Sequence, residues 1–254
     1  MAVLFEMQGA VAVLTLNDPD RRNALSRAIV SGMFDALHEA RAAKARAIVI
    51  AANGPAFCAG ANIADLRDGW MEGKEPATDP IRLFRTLTEE PLIVIGAIHG
   101  PAVGGGFELS LSCDLVVASE KTWFSLPELE HGVIPNTAAA RLAQVIGIRH
   151  AMELIFTRRR VQAAEAQILR LVNEIAPADE VTHAAIKLAQ NIIEHAPPGA
   201  IAVAKRALRS HTQINWDKVA SSLLDVPSGE WQEGLNAYIE RRQPDYESFW
   251  RTAE

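Results

Sequence analysis

The sequence has few cysteines and no long apolar run. Its two cysteines, Cys58 and Cys113, are too few for a disulfide framework and form no Cys-x-x-Cys metal motif. We therefore expect two buried or half-buried thiols in a protein of a reducing compartment. Because no apolar run approaches the roughly 18 residues that cross a bilayer, we expect no membrane-spanning helix and no membrane partner.

Positive charge is also scarce. The chain has 25 lysines and arginines against 31 aspartates and glutamates, which gives a formal net charge of −6 at pH 7. This balance argues against nucleic acid as a partner, although a few local arginines could still hold an anionic small molecule. The first residues, Met1 to Met7, lack the basic segment of a secretory signal, so the sequence predicts a cytoplasmic protein.

Several catalytic motifs are missing as well. No Gly-Lys-Ser or Gly-Lys-Thr follows the three glycines Gly104 to Gly106, which excludes a P-loop nucleotide enzyme. No Gly-x-Ser-x-Gly occurs, which excludes a serine hydrolase of the nucleophile-elbow type. Histidines and aspartates do not cluster as metal ligands do, so we expect no metal.

What the chain does contain is a series of short apolar strands separated by helical segments, typical of parallel β-α units. Ser26 is a candidate N-cap for the first helix. From about Thr137 onward the pattern is mostly helical. We predict an α/β core domain over residues 1–195 and a helical C-terminal region over residues 196–254, with a loop from Asp68 to Pro80. The predicted strands are Val11 to Leu16, Ala47 to Ala52, Leu92 to Ile98 and Leu115 to Ala118.

The most informative segment runs from His99 to Asp114. A predicted strand leads into Gly104 to Gly106, and the carboxylate of Glu108 follows within one helical turn. Glycine lets the backbone turn sharply and lets a ligand approach it. The first amides of a helix that begins there have no internal partner and can hold negative charge on an oxygen. The helix dipole should favour the charged form of Glu108.

Two further segments have ordinary interpretations when each is taken alone. The small residues from Asn53 to Ile63 follow a strand and are typical of a plain β-α turn, although they would also let a ligand lie on the main chain. Glu128 follows Pro127, which favours a first helical turn, and could be an ordinary surface carboxylate. Their combination with the glycine segment is more specific than any one of them.

Together these segments resemble the crotonase superfamily, that is, the enoyl-CoA hydratase/isomerase family. The resemblance implies an α/β fold of the crotonase (ClpP-like) type, a spiral of repeated ββα units with a helical C-terminal trimerisation region. It also implies a homotrimer or a dimer of trimers, with Tyr246, Phe249 and Trp250 near a subunit contact. The matching runs are Pro-Asp-Arg-Arg-Asn-Ala-Leu-Ser at 19–26, Phe-Cys-Ala-Gly-Ala-Asn-Ile at 57–63, His-Gly-Pro-Ala-Val-Gly-Gly-Gly-Phe-Glu at 99–108 and Pro-Glu-Leu-Glu-His-Gly-Val-Ile-Pro at 127–135.

Carried over position by position, the resemblance assigns a thioester site. The two oxyanion-hole amides fall on Ala61 and Gly105, and the two glutamates of hydratases fall on Glu108 and Glu128. Glu108 would activate water for attack at Cβ, and Glu128 would deliver a proton at Cα or share both tasks. Coenzyme A belongs to the substrate, so no separate cofactor is expected. The substrate and coenzyme A contacts fall on Arg22, Ala24, Ala59, Ala61, Asn62, Ile63 and Gly105.

The resemblance is compatible with three functions. Hydration of a 2-enoyl-CoA is favoured because both glutamates are present, with a Δ3,Δ2-enoyl-CoA isomerase and a non-catalytic acyl-CoA-binding protein as alternatives. The chain departs from the family where Asn62 replaces an aspartate and where Asn136 to Ala140 replaces a glycine-rich run. His131, beside Glu128, is interpreted as a hydrogen-bonded structural residue or as a third acid-base group.

Overall fold

The structure is a computed structural model that describes residues 1–67, 75–210 and 212–250. Residues 68–74 of the predicted loop lie outside the described part, as does the side chain of Trp250. The strands of the described part are Val3–Gln8 (β1), Val11–Leu16 (β2), Ala47–Ala52 (β3), Ile93–Ile98 (β4), Ala102–Val103 (β5), Leu115–Ser119 (β6), Trp123–Ser125 (β7), Val161–Gln162 (β8) and Glu174–Ala176 (β9).

Helices fill most of the second half of the chain, as the sequence predicts. Short 3₁₀ turns at Pro19–Arg21, Glu128–His131 and Ser222–Asp225 connect the longer elements. The α-helices are Arg27–Ala42 (α1), Ile63–Arg67 (α2), Pro80–Glu89 (α3), Gly105–Ser112 (α4), Asn136–Ile146 (α5), Ile148–Thr157 (α6), Ala163–Ile168 (α7), Val181–His195 (α8), Pro198–Ser210 (α9), Trp216–Ser221 (α10), Ser228–Glu240 (α11) and Glu247–Trp250 (α12).

The main sheet has the strand order β1-β2-β3-β4-β6-β9, and all its pairs are parallel except β1 with β2. Successive side chains of a strand point to opposite faces, so a strand that is buried on both faces is apolar throughout. In β3, Ile48 and Ile50 belong to one apolar cluster, which includes residues of α1 and α3. Ala47 and Val49 belong to a second cluster with α8. The predicted parallel β-α units are therefore confirmed.

A smaller sheet, with the order β5-β7-β8, positions the start of α4. Gly106 lies against the backbone of Cys58, and a methyl group at this position would overlap the Cys58 carbonyl. The segment before Ile63 therefore packs directly against the glycine segment. Only glycine at position 106 leaves room for this contact. Both cysteines are buried free thiols, as predicted.

The helical C-terminal region packs on the rest of the chain. Lys205 and Arg209 of α9 form ion pairs with Asp114, which precedes β6. Tyr246 donates a hydrogen bond from its hydroxyl to the carbonyl of Glu130 at 3.0 Å, so this part of the tail folds back on its own chain. The division into residues 1–195 and 196–254 stays a prediction. None of the helices in the described ranges has the length and apolar character needed to span a bilayer.

Candidate active site

A cavity of about 980 Å³ opens where the glycine segment, the Glu128 turn and α11 meet. Small backbone-exposing residues form one side of it, and apolar side chains form most of the rest. The lining residues are Leu25, Ala59, Gly60, Ala61, Ile63, Pro80, Ile81, Phe84, Val103, Gly104, Gly105, Glu108, Pro127, Glu128, His131, Val133, Ile134, Asn136, Asp225, Val226, Pro227, Trp231, Gln232, Leu235 and Tyr238.

Two backbone amides, those of Ala61 and Gly105, come together at this cavity. A methyl group on Gly105 would lie 3.8 Å from the nitrogen of Ala61. Leu25 holds the Ala61 loop in place, because its N–H donates to Gly60 at 2.7 Å and its carbonyl accepts from Asn62 at 2.8 Å. Gly104, at φ +55°, is the N-cap that begins α4 at Gly105. Backbone from two separate segments therefore meets at one wall of the cavity.

Glu108 is buried in the first turn of α4. Its Oε1 accepts hydrogen bonds from the backbone N–H groups of Thr137 at 2.7 Å and Ala138 at 3.0 Å, in the first turn of α5. Burial raises the pKa of Glu108 despite these two donors. The helix dipole is predicted to favour the charged form of Glu108, and the two amide donors act in the same direction, whereas burial opposes both.

Glu128 lies next to Gly104 of the glycine segment. A methyl group on Gly104 would lie 2.7 Å from Oε1 of Glu128, and Oε2 is buried without a hydrogen-bond partner. Burial raises the pKa of Glu128, and the nearby charge of Glu108 raises it further. Since Glu108 has two amide donors for its charged form, we assign the negative charge to Glu108 and the proton to Glu128.

His131 and Asn136 give the cavity two further polar groups. The ring of His131 packs edge-on against Tyr238 at a centroid distance of 5.0 Å, and burial lowers its pKa. The Nδ2 of Asn136 donates to the carbonyl of Val219 at 3.2 Å, while its Oδ1 is buried without a partner. Asn136 thus stands in the wall where the family resemblance led us to expect glycine.

The structure brings most of the predicted site residues together. Ala59, Ala61, Ile63 and Gly105 line the cavity beside the two glutamates, whereas Arg22, Ala24 and Asn62 do not. The carbonyl of Arg22 accepts a hydrogen bond from the N–H of Ala59. The side chain of Asn62, which replaces the aspartate of the family, accepts from the N–H groups of Ala64 and Asp65 and so caps α2. Contacts of these residues with coenzyme A stay predictions.

Several lining residues were not anticipated from the sequence. Ile81 and Phe84 come from α3, and Trp231, Leu235 and Tyr238 come from α11. Helical periodicity predicts both helices, but it does not tell which cavity their apolar faces cover. Within residues 1–67, 75–210 and 212–250, no group of three or more His, Cys, Asp or Glu residues is arranged to hold a metal ion.

Comparison with known proteins places this geometry in a family. The profile of the enoyl-CoA hydratase/isomerase family matches residues 6–249. A putative enoyl-CoA hydratase of Thermus thermophilus is 32% identical over 249 residues, which cover 94% of this chain and 98% of the relative. The chain belongs to the enoyl-CoA hydratase/isomerase family. A short-chain-enoyl-CoA hydratase of Clostridium acetobutylicum is 30% identical and is covered, like this chain, over 95% of its length.

Solved structures agree with this family assignment. The crystal structure of carnitinyl-CoA hydratase from Mycobacterium avium matches with a TM-score of 0.85 and 31% identity, over 97% of this chain and 98% of that one. The predicted crotonase fold is therefore confirmed. Within this fold, Ala61, Gly105, Glu108 and Glu128 line one cavity.

Proposed function

We propose that this protein is a hydro-lyase that adds water across the double bond of a 2-enoyl-CoA thioester. The observation that carries the proposal is that two backbone segments, at Ala61 and Gly105, and two buried glutamates meet at one cavity, and that Glu108 accepts two amide hydrogen bonds while Oε2 of Glu128 has no partner. Membership of a family that is named for hydratases and isomerases supports the same reaction class. Coenzyme A is part of the substrate, and the chemistry needs no further cofactor.

In the proposed mechanism the thioester oxygen lies between the N–H groups of Ala61 and Gly105. Each well-placed donor to an oxyanion stabilises the transition state by about 3–4 kcal/mol. The Glu108 carboxylate takes a proton from water as the oxygen bonds to Cβ, and the carboxylic acid of Glu128 gives a proton to Cα. Transfer of a proton from Glu108 to Glu128 restores the starting state, so the addition balances without another reagent.

Replacing each glutamate by glutamine tests these roles. We expect Glu108→Gln and Glu128→Gln to lower kcat for crotonyl-CoA hydration by about 10²–10⁴-fold, because each removes one proton-transfer group. Glu130→Gln is the matched control, since Glu130 is exposed in the same 3₁₀ turn. Turnover near that of the wild type in either cavity variant would contradict the assignment.

Assays with other CoA thioesters separate the alternative functions. Migration of the double bond of a 3-enoyl-CoA without water uptake would indicate an isomerase, which needs one carboxylate rather than two. Tight binding of CoA thioesters without turnover across a substrate panel would indicate a binding protein. A panel of straight, branched and aromatic enoyl-CoAs, with products identified by mass, would define the acyl group that the wall at Phe84, Asn136 and Trp231 accepts.

We also propose that the protein works as a cytoplasmic homotrimer or a dimer of trimers. Three large apolar side chains of α6 support a subunit contact, because Ile148, Met152 and Phe156 follow one another at four-residue spacing and are 59%, 48% and 60% exposed. A contiguous exposed apolar face of this kind is typical of an interface.

Light scattering after size-exclusion chromatography tests the assembly. The wild type should have the mass of three or six chains, and Phe156→Asp should lower that mass, because it places a charge in the apolar contact. Glu153→Gln on the same helix should leave the mass unchanged. A monomeric wild type would contradict the proposal.

A further inference from the structure

A second cavity, of about 510 Å³, lies apart from the candidate active site. It is bounded by the C-terminal half of α3, by α5 and by the chain around α10. None of its described lining residues belongs to the active-site cavity. Three arginines from three different helices, Arg85, Arg141 and Arg209, line it together with the ring of Trp216.

Two of these arginines have unused hydrogen-bonding capacity. Arg141 donates from Nη1 to the hydroxyl of Thr88 at 2.8 Å, and it has no ion pair within the described residues. Arg209 uses Nη2 for Asp114, but its Nη1 is buried and has no acceptor. A buried N–H of a charged group without an acceptor is costly, so such groups are normally satisfied by a partner or a ligand.

Positively charged side chains outnumber carboxylates around Arg141 and Arg209. Asp114 forms ion pairs with both Lys205 and Arg209. Arg141 lies close enough to Arg209 and Asp114 for their charges to shift its pKa. Burial and the charge of Arg209 lower the pKa of Arg141 to about 10. Arg141, Arg209 and Lys205 therefore lie near Asp114, while the second buried carboxylate, Glu90, acts on Lys205 and is itself paired with Arg41.

The other carboxylates of the cavity do not offset this excess. Glu89 is paired with Arg85 at 3.1 Å, and both side chains are about half exposed. Asp217 is exposed in the first turn of α10. Neither carboxylate forms an ion pair with Arg141 or Arg209. The part of the cavity beside Arg141 and Arg209 is therefore suited to a small anion.

We propose that this cavity binds a small oxyanion, a phosphate group, with the guanidinium groups of Arg141 and Arg209 as its ligands. Planar guanidinium groups donate pairs of parallel hydrogen bonds to phosphate oxygens, which a lysine cannot do. The anion would give Arg209 Nη1 an acceptor and reduce the repulsion between the two arginines. It would also connect α9 to α5, the helix whose first amides hold Glu108.

Titration with inorganic phosphate, against chloride at equal ionic strength, tests the proposal in the full-length protein. We expect saturable heat of binding at one phosphate per chain and a rise in Tm of about 2 °C or more at saturation. Arg141→Gln and Arg209→Gln should lose both signals. Arg206→Gln is the matched control, because Arg206 is exposed on the same helix as Arg209 and does not line the cavity. General stabilisation by phosphate would be equal in all four proteins.

A conservative variant keeps the test valid if the glutamine variants fold poorly. Arg209→Lys retains a positive charge for Asp114 but loses the paired donors, so phosphate should bind about tenfold more weakly while Tm in chloride changes little. Competition between inorganic phosphate and coenzyme A identifies the source of the phosphate group. Displacement of phosphate by coenzyme A would assign the site to a phosphate of that molecule, and independent binding would assign it to a free anion.

Two results would overturn the proposal. One is the lack of saturable phosphate binding to the wild type. The other is an identical phosphate response of wild type, Arg209→Gln and Arg206→Gln. If the wild type binds no phosphate and Arg141→Gln lowers the molecular mass in solution, the cavity instead receives a group of a second copy of the chain, and the anion site is wrong.

Discussion

Glu108 and Glu128 lie in one cavity, yet their surroundings favour different protonation states of the two carboxyl groups. Glu108 receives two amide hydrogen bonds, whereas Oε2 of Glu128 has no donor. Two carboxylates in one poorly hydrated space do not both ionise readily. Once the first proton has left the pair, the remaining proton is therefore held more tightly. This difference supports assigning the base role to Glu108 and the acid role to Glu128.

The raised pKa values make the stability of the protein depend on pH. The unfolded carboxyl groups titrate near pH ~4.3, whereas the folded ones titrate higher. Between these values the folded state holds more protons than the unfolded state, so the free energy of unfolding falls as pH rises. Glu128→Gln cannot acquire the buried charge that Glu128 takes on at alkaline pH. We expect it to be more stable than the wild type at pH 9 by on the order of 1–2 kcal/mol and nearly equal at pH 5.

Thermal unfolding across this pH range provides the measurement. Glu120→Gln is the control, because Glu120 is exposed and follows β6 outside the cavity. Its Tm should follow that of the wild type at every pH. A Glu128→Gln variant whose Tm also follows the wild type at alkaline pH would show that the folded protein does not resist ionisation of Glu128.

The sequence could predict that Glu108 and Glu128 lie in one site, but it could not predict their electrostatics. The spacing from Gly105 to Glu108 predicts a shared helix face, and the structure confirms it. The two donors to Glu108 come from Thr137 and Ala138, about thirty residues along the chain in a segment that departs from the family pattern. Burial, which decides the direction of the pKa shift, depends on packing that no local pattern describes.

At the scale of single elements, α2 shows how one side chain sets the geometry of the Ala61 loop. This helix has five residues, which is too short to be stable by itself. The Oδ1 of Asn62 accepts from Ala64 at 3.0 Å and from Asp65 at 3.3 Å. Asp65 in turn accepts from the N–H of Arg27 at 2.9 Å, which ties α2 to the start of α1. The cap therefore helps to hold the Ala61 amide in place.

Removal of this cap should be measurable. We expect Asn62→Ala to lower stability by about 1 kcal/mol, or Tm by about 2–4 °C, and to raise KM for crotonyl-CoA. Asn62→Asp should behave like the wild type, because aspartate is an equally good N-cap. Equal Tm and KM in Asn62→Ala and Asn62→Asp would mean that the cap does not support the loop.

Elements with a strong local pattern are those that the sequence predicts best. The strand Ala47–Ala52 has the predicted bounds, and Ser26 caps α1 by accepting from the N–H of Ile29. The walls of the cavity are less predictable. Residues of α11, such as Trp231 and Tyr238, reach the cavity only because the C-terminal region folds back over the Glu128 turn.

At the scale of the whole molecule, the C-terminal region is joined to the α/β core by buried polar contacts as well as by apolar packing. The Nζ of Lys205, 8% exposed, donates to the carbonyl of Leu92 at 2.8 Å and forms an ion pair with Asp114. Asn136 donates to the carbonyl of Val219. The predicted boundary at residue 195 therefore separates segments that are expected to unfold together, since their polar groups satisfy one another.

Replacing Lys205 tests this cooperativity. Lys205→Met leaves the Leu92 carbonyl without its donor and removes one of the two cations paired with Asp114. Breaking a buried pair typically costs 3–5 kcal/mol, and because Arg209 still pairs with Asp114 we expect about 3 kcal/mol. Lys187→Met, on the exposed side of α8, should change stability by less than about 0.5 kcal/mol. Calorimetry should show one transition in both variants, shifted to lower temperature only in Lys205→Met. A second, separate transition in Lys205→Met would mean instead that the region after residue 195 unfolds as an independent unit.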